Sequence, residues 1–397
     1  MSEWQQYQIK DLIKIEKKAY KPNSFDDIPY LGLEHINEKT LSLNSIGSSK
    51  DIESNKFFFE SEDTLFGKLR PYFRKVYQPK FSGICSTDIW VFRKKSDQID
   101  KNFLFYFVAN PLFVDKVSNA STGTRMPRGD WNFIKDTKWY IPPLEEQKAI
   151  ASVLSCLDEK IENLRKQNET LEAIAQTLFK HWFIDFEFPN EDGKPYKSSG
   201  GKMVASELGE IPKGWQVGKL GDEFNILMGQ SPAGSSFNEN QEGFIFYQGR
   251  TDFGFRFPTV RLYTTEPKRI AEKFDVLVSV RAPVGDINVA SERCCIGRGL
   301  SAVRSNYKSY CLYTLKSYRK TFDIFETEGT VFGSLNKDNF NNLASIIPSN
   351  TIIIQFENVT FSLDQKIFLN TNQIQTLTKT RDELLPKLMS GQIRVNE

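Results

Sequence analysis

Basic side chains stand close to glycines and hydroxyl groups in one stretch of the first half of this chain. Lys68, Arg70 and Arg74 lie within seven residues, and a polar glycine-containing loop follows at residues 121–129. The candidates in that loop are Thr122, Gly123, Thr124, Arg125 and Arg128. Such a loop offers backbone NH groups to phosphate, and an arginine can bind guanine through two hydrogen bonds. These residues make nucleic acid a candidate ligand.

The second half carries a comparable set of polar residues. The candidates there are Gln230, Ser231, Arg250, Arg256, Arg261, Arg281, Arg298, Gly329 and Thr330. Arg281 is expected to occupy the place that Arg70 has in the first half. For each arginine the alternative is a solvated or ion-paired side chain without a ligand. For Arg70 and Arg281 a structural role at the end of a strand is a further alternative.

Motifs for catalysis and for metal binding are absent from the sequence. It has no glycine-lysine phosphate loop and no dinucleotide-binding turn after a strand. Its two histidines and five cysteines show no paired metal spacing. We therefore expect no catalytic residue, no metal site and no cofactor in this chain. The net charge of +2 requires any DNA-binding surface to come from local segregation of charge.

The sequence also lacks the patterns of export and of membrane insertion. Its first residues do not combine a basic segment with an apolar one, and no run approaches the length of a membrane span. We expect a cytoplasmic protein with no membrane contact.

Residues 142–188 are predicted to form one long helix that positions the first candidate loop. Its apolar residues recur in alternating steps of three and four, which is typical of a coiled-coil seam. A second seam lies near the C-terminus, in phase with the first at an offset of 206, the difference between 364 and 158. The seam residues are Leu157, Ile161, Leu164, Asn168, Leu171, Leu178, Leu363, Ile367, Asn370, Ile374, Leu377 and Leu384.

The two helices are predicted to pair antiparallel within the chain. Asn168 and Asn370 are the polar residues of the two seams, and matching them sets the register. A buried polar seam position lowers stability but specifies alignment, so we expect the two asparagines to meet. The alternative is that each faces solvent at a frayed seam.

The chain is predicted to be a duplication with an α+β fold. Two similar globular α/β domains, 1–141 and 213–348, are each followed by a spacer helix, 142–188 and 349–397, and a linker at 189–212 joins the halves. Its glycines, serines and charged residues are expected to bury no core. The predicted arrangement is pseudo-two-fold, with two domains separated by an intramolecular antiparallel coiled coil. A rigid spacer between similar domains suits a partner with two separated recognition patches, such as duplex DNA.

The chain resembles the specificity subunits of Type I restriction-modification systems over nearly its whole length. The resemblance lies in residues 66–72, 86–88, 141–147, 229–232, 247–254, 275–286 and 295–300. It implies two target-recognition domains that each read one half of a bipartite DNA sequence. It departs from the family at Ile347-Pro348-Ser349-Asn350, which replaces the Pro-Pro-Leu-x-Glu-Gln type of opening seen in the first helix.

The same resemblance implies the partners and a non-catalytic role in DNA modification, restriction and phage defence. Two methyltransferase subunits would dock on the helices and bring S-adenosylmethionine. Motor-nuclease subunits would bring ATP and Mg. The alternative is a coiled-coil scaffold that joins protein-binding modules and does not touch nucleic acid.

Overall fold

The computed structural model describes residues 3–23, 25–121, 126–327 and 333–395. The chain divides into two compact units, unit 1 with residues 1–164 and 372–397, and unit 2 with residues 165–371. Both boundaries fall inside long helices. The division therefore does not test the domain limits predicted from composition, which stay a prediction.

Two long helices are present, as the seams predict. The first is Leu144–Phe179 and continues in a π-helical turn, Lys180–Ile184. The second is Asn350–Met389. The first ends before the predicted residue 188 because Phe186 takes a left-handed conformation with φ of 61°, which no helix continues. The second ends close to Gly391, whose φ is 73°.

The long helices run antiparallel in each unit. In unit 2 Asn168 contacts Asn370, and Phe179, later in the first helix, packs on Phe356, earlier in the second. In unit 1 Asp158 of the first helix binds Arg381 of the second. Glu146, earlier in the first helix, binds Arg394, which follows the end of the second, so the direction is again antiparallel. Every seam residue named above is buried or half-buried. The predicted intramolecular antiparallel pairing is confirmed.

The described residues of unit 1 form three sheets. A four-stranded antiparallel sheet has the order Ile13–Glu16, Ile89–Lys94, Thr64–Gly67, Val76–Tyr77. A five-stranded sheet has the order Ala19–Tyr20, Lys56–Phe59, Gly83–Cys85, Pro29–Leu31, Gly47–Ser48. Gln5–Gln8 pairs with Lys138–Ile141. The shorter helices are Ile9–Leu12, Lys101–Ala109, Pro111–Asn119 and Trp131–Ile134, with 3-10 turns at Leu33–His35, Ser49–Asp51 and Pro71–Phe73.

Unit 2 repeats these sheets and adds a hairpin. Its four-stranded sheet has the order Asn225–Met228, Leu300–Arg304, Val276–Ser279, Ile287–Val289. Its five-stranded sheet has the order Phe237–Asn238, Leu262–Thr264, Phe244–Tyr247, Cys294–Ile296, Ile270–Ala271. Gln216–Lys219 pairs with Ala344–Ile347, and Met203–Ser206 with Gly209–Pro212. The shorter helices are Leu220–Glu223, Lys308–Ser317, Arg319–Thr327 and Lys337–Asn341, with 3-10 turns at Gly234–Ser236 and Arg250–Asp252.

Strand register shows that the two halves are copies of one fold. Gln5 pairs with Ile141 in unit 1 as Gln216 pairs with Ile347 in unit 2. Each five-stranded sheet also holds one parallel pair, Pro29–Leu31 with Gly83–Cys85 and Phe244–Tyr247 with Cys294–Ile296. A parallel pair inside an otherwise antiparallel sheet at the same place in both repeats confirms the predicted duplication.

The segment at residues 189–212 is more ordered than composition suggests. It forms the hairpin described above, Ile211 is 3% exposed, and the Tyr196 ring stacks on Phe188 at 4.6 Å between centroids. The expectation that this segment buries no core is therefore wrong. Ile211 is buried in the hydrophobic cluster that contains Trp215, and Tyr196, Met203 and Val204 pack against that cluster.

Matching tyrosine-aspartate hydrogen bonds connect a domain helix to a long helix in each unit. The Tyr106 hydroxyl donates to Asp158 at 2.7 Å, and the Tyr313 hydroxyl donates to Asp364 at 2.9 Å. Burial raises the pKa of both tyrosines, with the adjacent aspartate adding to the rise. Both phenols therefore stay protonated and act as donors. None of the helices in the described part of the chain is long and apolar enough to cross a membrane.

Candidate nucleic-acid interface

Loops at the ends of neighbouring strands in unit 2 are joined by backbone hydrogen bonds. The loop at 229–231 is held by Gln230 N, which donates to Ile296 O at 3.0 Å. The loop at 297–299 donates from Gly297 N to Tyr247 O at 2.8 Å, and accepts from Val280 N at Gly299 O, 3.0 Å. Segments that are distant in sequence therefore form one continuous surface. We call this surface, and its equivalent in unit 1, the loop edge or candidate surface of the unit.

Glycine is required where these loops approach most closely. A Cβ atom at Gly229 would lie 2.2 Å from the carbonyl oxygen of Gly297, and one at Gly299 would lie 2.7 Å from the carbonyl oxygen of Gln248. Both distances are shorter than a carbon can approach an oxygen. The glycines of these loops thus serve backbone packing, and the polar side chains beside them face outward.

Five of the polar residues predicted in unit 2 come together on this surface, namely Gln230, Ser231, Arg250, Arg281 and Arg298. Gln230, Arg250, Arg281 and Arg298 are exposed. Ser231 is half-buried, and its hydroxyl accepts the backbone NH of Arg298 at 3.2 Å. Three arginines on adjoining loops supply the local positive charge that the small net charge does not.

Unit 1 builds the corresponding edge with an equivalent set of backbone bonds. Lys68 N donates to Asp88 O at 2.9 Å, as Val280 donates to Gly299 in unit 2. Gly129 N donates to Lys68 O at 2.9 Å, and Arg70 N donates to Pro127 O at 2.8 Å. Lys68 and Arg70 are half-buried and Arg128 is exposed. This surface therefore brings together Lys68, Arg70 and Arg128, three of the four described cations predicted in this half.

The expected equivalence of Arg70 and Arg281 is wrong by one residue. Arg70 N donates to Pro127 O, whereas in unit 2 the same bond runs from Ala282 N to Gly333 O at 3.1 Å. Arg281 forms its bridge with Ser334 as Leu69 does with Arg128. Arg281 therefore lies one position earlier in its repeat than Arg70, which has a left-handed backbone at the start of a turn, so the two arginines are presented differently.

Arg70 has a backbone conformation that is unusual for a side chain of its size. Its φ of 50° and ψ of 60° are left-handed, and it opens the turn Pro71–Phe73. Such a conformation costs on the order of 1–3 kcal/mol for a residue with a Cβ atom. The exposed ring of Tyr72 follows directly, 47% accessible to solvent.

Two other arginines proposed from the sequence are buried in ion pairs. Arg74 is 8% exposed, donates to Asp382 at 2.9 Å and also binds the backbone carbonyl of Lys39. Arg256 is 3% exposed and binds both Glu172 and Asp364. Their donors already have carboxylate partners inside the protein, so we do not include them in the candidate surface. Arg261 is half exposed and pairs with Asp252 at 3.0 Å.

The glycine loops themselves are only partly described. Thr122, Gly123, Thr124, Arg125, Gly329 and Thr330 lie outside the described residues. The segments that follow them, at Pro127 and at Gly333, are bound to the two edges by the backbone bonds given above.

Two carboxylates at these edges were missed in the sequence. Asp88 accepts from the guanidinium of Arg128, and Asp286 binds Arg250. Asp88 belongs to the Ser86-Thr87-Asp88 motif of the family resemblance, which was a usable signal. Asp286 ends another such motif, but its pairing with a residue 36 positions earlier, the difference between 286 and 250, could not be read from spacing. Over the described residues, no group of three or more His, Cys, Asp or Glu side chains is arranged to hold a metal ion.

Comparison with known families shows to which family a chain with two such surfaces belongs. The model of the Type I restriction modification DNA specificity domain matches residues 1–173 and again residues 212–379. The chain belongs to this family. The two matches coincide with the two repeats, and the specificity role of such subunits is non-catalytic. Membership favours a DNA specificity subunit over the alternative of a scaffold that does not touch nucleic acid.

Relatives of this specificity subunit occur in bacteria and archaea. The chain is 31% identical to the type I restriction enzyme MjaIX specificity subunit of Methanocaldococcus jannaschii, over 76% of this chain and 71% of that protein. It is 23% identical to the HindI specificity subunit of Haemophilus influenzae, over 99% of this chain and all of that protein. Its fold resembles the crystal structure of the specificity subunit from M. genitalium, with a TM-score of 0.59, 17% identity and coverage of 97% and 96% of the two chains.

Proposed function

We propose that each loop edge of this specificity subunit reads one half of a bipartite sequence in duplex DNA. The observation that carries the proposal is the repeated set of backbone hydrogen bonds that assembles basic loops at the same edge of both repeats. The proposed contacts are Lys68, Arg70 and Arg128 in unit 1, and Gln230, Ser231, Arg250, Arg281 and Arg298 in unit 2. Thr122, Gly123, Thr124, Arg125, Gly329 and Thr330, which lie outside the described residues, stay predicted DNA contacts.

Exposed arginines suit both parts of DNA binding. A guanidinium neutralises phosphate and can also donate two hydrogen bonds to the O6 and N7 atoms of guanine. Gln230 offers an amide, which pairs in the same manner with adenine. The mixture of arginine, glutamine and serine on one edge therefore supports base reading in addition to phosphate contact.

The long helices would set the spacing between the two half-targets. A coiled coil is stiff over its length, and half-sites on duplex DNA must be met at a defined number of base pairs. Their outer faces would also dock two methyltransferase subunits, because the second helix leaves Ile354, Phe361 and Leu369 at 40%, 44% and 60% exposure. Motor-nuclease subunits would complete the complex in the cytoplasm. S-adenosylmethionine, ATP and Mg would then be bound by those partners.

Mapping methylated adenines tests this function directly. Cells that express the full-length chain with its methyltransferase subunits are expected to carry adenine methylation in one bipartite sequence. Exchange of residues 1–141 for the matching segment of another specificity subunit should change one half of that sequence and leave the other half unchanged. Changes in both halves would contradict independent reading by the two repeats.

A further inference from the structure

We propose that Asp88 and Asp286 are positioning residues that orient Arg128 and Arg250 for base reading. This inference rests on the proposed function and adds to it the residues that determine specificity. In both repeats an exposed arginine of the candidate surface is bound to a carboxylate on a neighbouring loop.

The geometry in unit 1 restrains Arg128 at both its backbone and its guanidinium. The two backbone bonds of Lys68, one to Asp88 and one from Gly129, place the carboxylate and the arginine on either side of the same residue. Arg128 Nε donates to one Asp88 oxygen at 3.2 Å, and Nη2 points to the other at 3.4 Å. This contact uses one edge of the guanidinium. The edge formed by Nη1 and Nη2 stays available for the paired acceptors of guanine.

The geometry in unit 2 reaches a similar result from a different position. Asp286 is held in a tight turn, because its NH donates to the buried Ser279 hydroxyl at 2.9 Å and its carbonyl accepts the Ser279 NH at 2.8 Å. Its carboxylate binds Arg250 and also accepts from Arg319 at 2.7 Å. The backbone counterpart of Asp88 in this repeat is Gly299, so the two carboxylates do not descend from one duplicated residue. The carboxylate of each repeat pairs with an arginine of its own repeat, Asp88 with Arg128 and Asp286 with Arg250.

The pairing favours base contact over phosphate contact for these two arginines. A carboxylate about 3 Å from a guanidinium repels an approaching phosphate, whereas the edge of guanine carries no net charge. A held rotamer also loses less side-chain entropy when the base is bound. Arg128 is 52% exposed and Asp88 28%, so the arginine projects further into solvent than its partner. Arg281 and Arg298 have no such carboxylate among the described residues and suit phosphate.

A double-mutant cycle on the full-length chain with its methyltransferase subunits tests the proposal. The probe is a random-sequence duplex library, and sequencing the retained molecules gives the base preference at every position. Asp88→Asn should reduce the preference at one position of one half-target by about two- to fivefold, the range of an exposed ion pair. It should also raise the retention of all duplexes slightly because a negative charge is lost. In the Arg128→Ala background, Asp88→Asn should still raise general retention but no longer alter any base preference.

Three results separate the possible failures. If the wild-type complex retains no sequence preference, the proposed function fails and the positioning role with it. If the wild type selects a sequence and Asp88→Asn selects it equally well, the positioning role alone is overturned. Equal effects of Asp88→Asn with and without Arg128 would overturn it too. Asp286→Asn, paired with Arg250→Ala, decides the question if Asp88→Asn does not fold, and Asp97→Asn, 99% exposed, is the control.

Discussion

Asn370 donates a hydrogen bond of 2.9 Å from its side-chain amide to the side-chain oxygen of Asn168, and both residues are almost fully buried. The predicted meeting of the two asparagines is confirmed. Neighbouring polar groups join the pair, since Asn168 also donates to the Thr371 hydroxyl at 3.4 Å. A buried amide pair in an apolar seam specifies alignment, because a shift of either helix would leave both amides without partners.

Replacing one asparagine of this pair should be worse than replacing both. Asn168→Leu leaves the Asn370 amide buried without its main partner, which is expected to cost about 1–3 kcal/mol of unfolding free energy. Asn168→Leu with Asn370→Leu removes the polar groups together and should be close to neutral or stabilising. Urea unfolding measures both effects. Asn372→Leu, at an exposed position of the second helix, is the control, and additive losses in the double variant would argue against the amide pair.

Removal of Asp158 should destabilise unit 1 strongly. Arg381 is 1% exposed and binds Asp158 at 2.7 Å, and Tyr106 donates to the same carboxylate. Asp158→Ala leaves a buried guanidinium with fewer partners, so we expect a loss of about 3–5 kcal/mol. Asp97→Ala, at a fully exposed aspartate, should change stability by less than about 0.5 kcal/mol. Thermal unfolding of the two variants in parallel checks the difference, and similar melting temperatures would refute it.

The stability of unit 2 should fall as Glu223 ionises. This carboxyl accepts from Tyr310 at 2.6 Å and from Ser345 at 3.2 Å. Burial nevertheless raises the pKa of Glu223 above its ordinary value of 4.5. The folded state therefore binds the proton more tightly than the unfolded state. The resulting contribution to the free energy of unfolding is fully present below pH 4.5 and is lost as the pH rises through the raised pKa of Glu223.

Glu223→Gln should remove that part of the pH dependence. Relative to the wild type, the variant is expected to gain stability over the pH range above 4.5 in which the wild-type carboxyl ionises, because it carries no proton to lose. Urea unfolding across this range measures the slope of stability against pH. Glu239→Gln, at an exposed position, should keep the wild-type slope. An unchanged slope for Glu223→Gln would mean that this carboxyl does not govern the effect.

Arginines at opposite ends of one strand provide a matched test of the DNA surface. Arg298 follows the strand Cys294–Ile296 and lies on the candidate surface, whereas Arg293 precedes it and pairs with Glu272 at 3.2 Å. Arg298→Ala should weaken DNA binding and lower the slope of log affinity against log salt by about 1, as expected for one lost phosphate contact. Arg293→Ala has the same charge change and should leave both unchanged. Filter binding at several salt concentrations measures the slopes, and equal slopes would remove Arg298 from the surface.

Local patterns explain most of what was predicted correctly about the fold. The alternating steps of three and four depend only on residues one helical turn apart, so Ile161, Leu164 and Asn168 identify the buried face without knowledge of the rest. Repeated motifs likewise reveal the duplication, because copies keep their order along the chain. The prediction from composition failed at residues 189–212. This segment buries a few apolar side chains although many of its residues are polar.

The sequence by itself determined the paired helices, the duplication, the meeting of Asn168 and Asn370, and the family. Only the tertiary structure decided which arginines face solvent. Arg74 and Arg256 look like Arg298 in sequence. In the folded protein, however, both are buried and pair with carboxylates 308 and 108 residues away along the chain. It also joined Asp88 to Arg128 and Asp286 to Arg250. An arginine's environment is set by charges that folding brings near it, and no spacing along the chain records those distances.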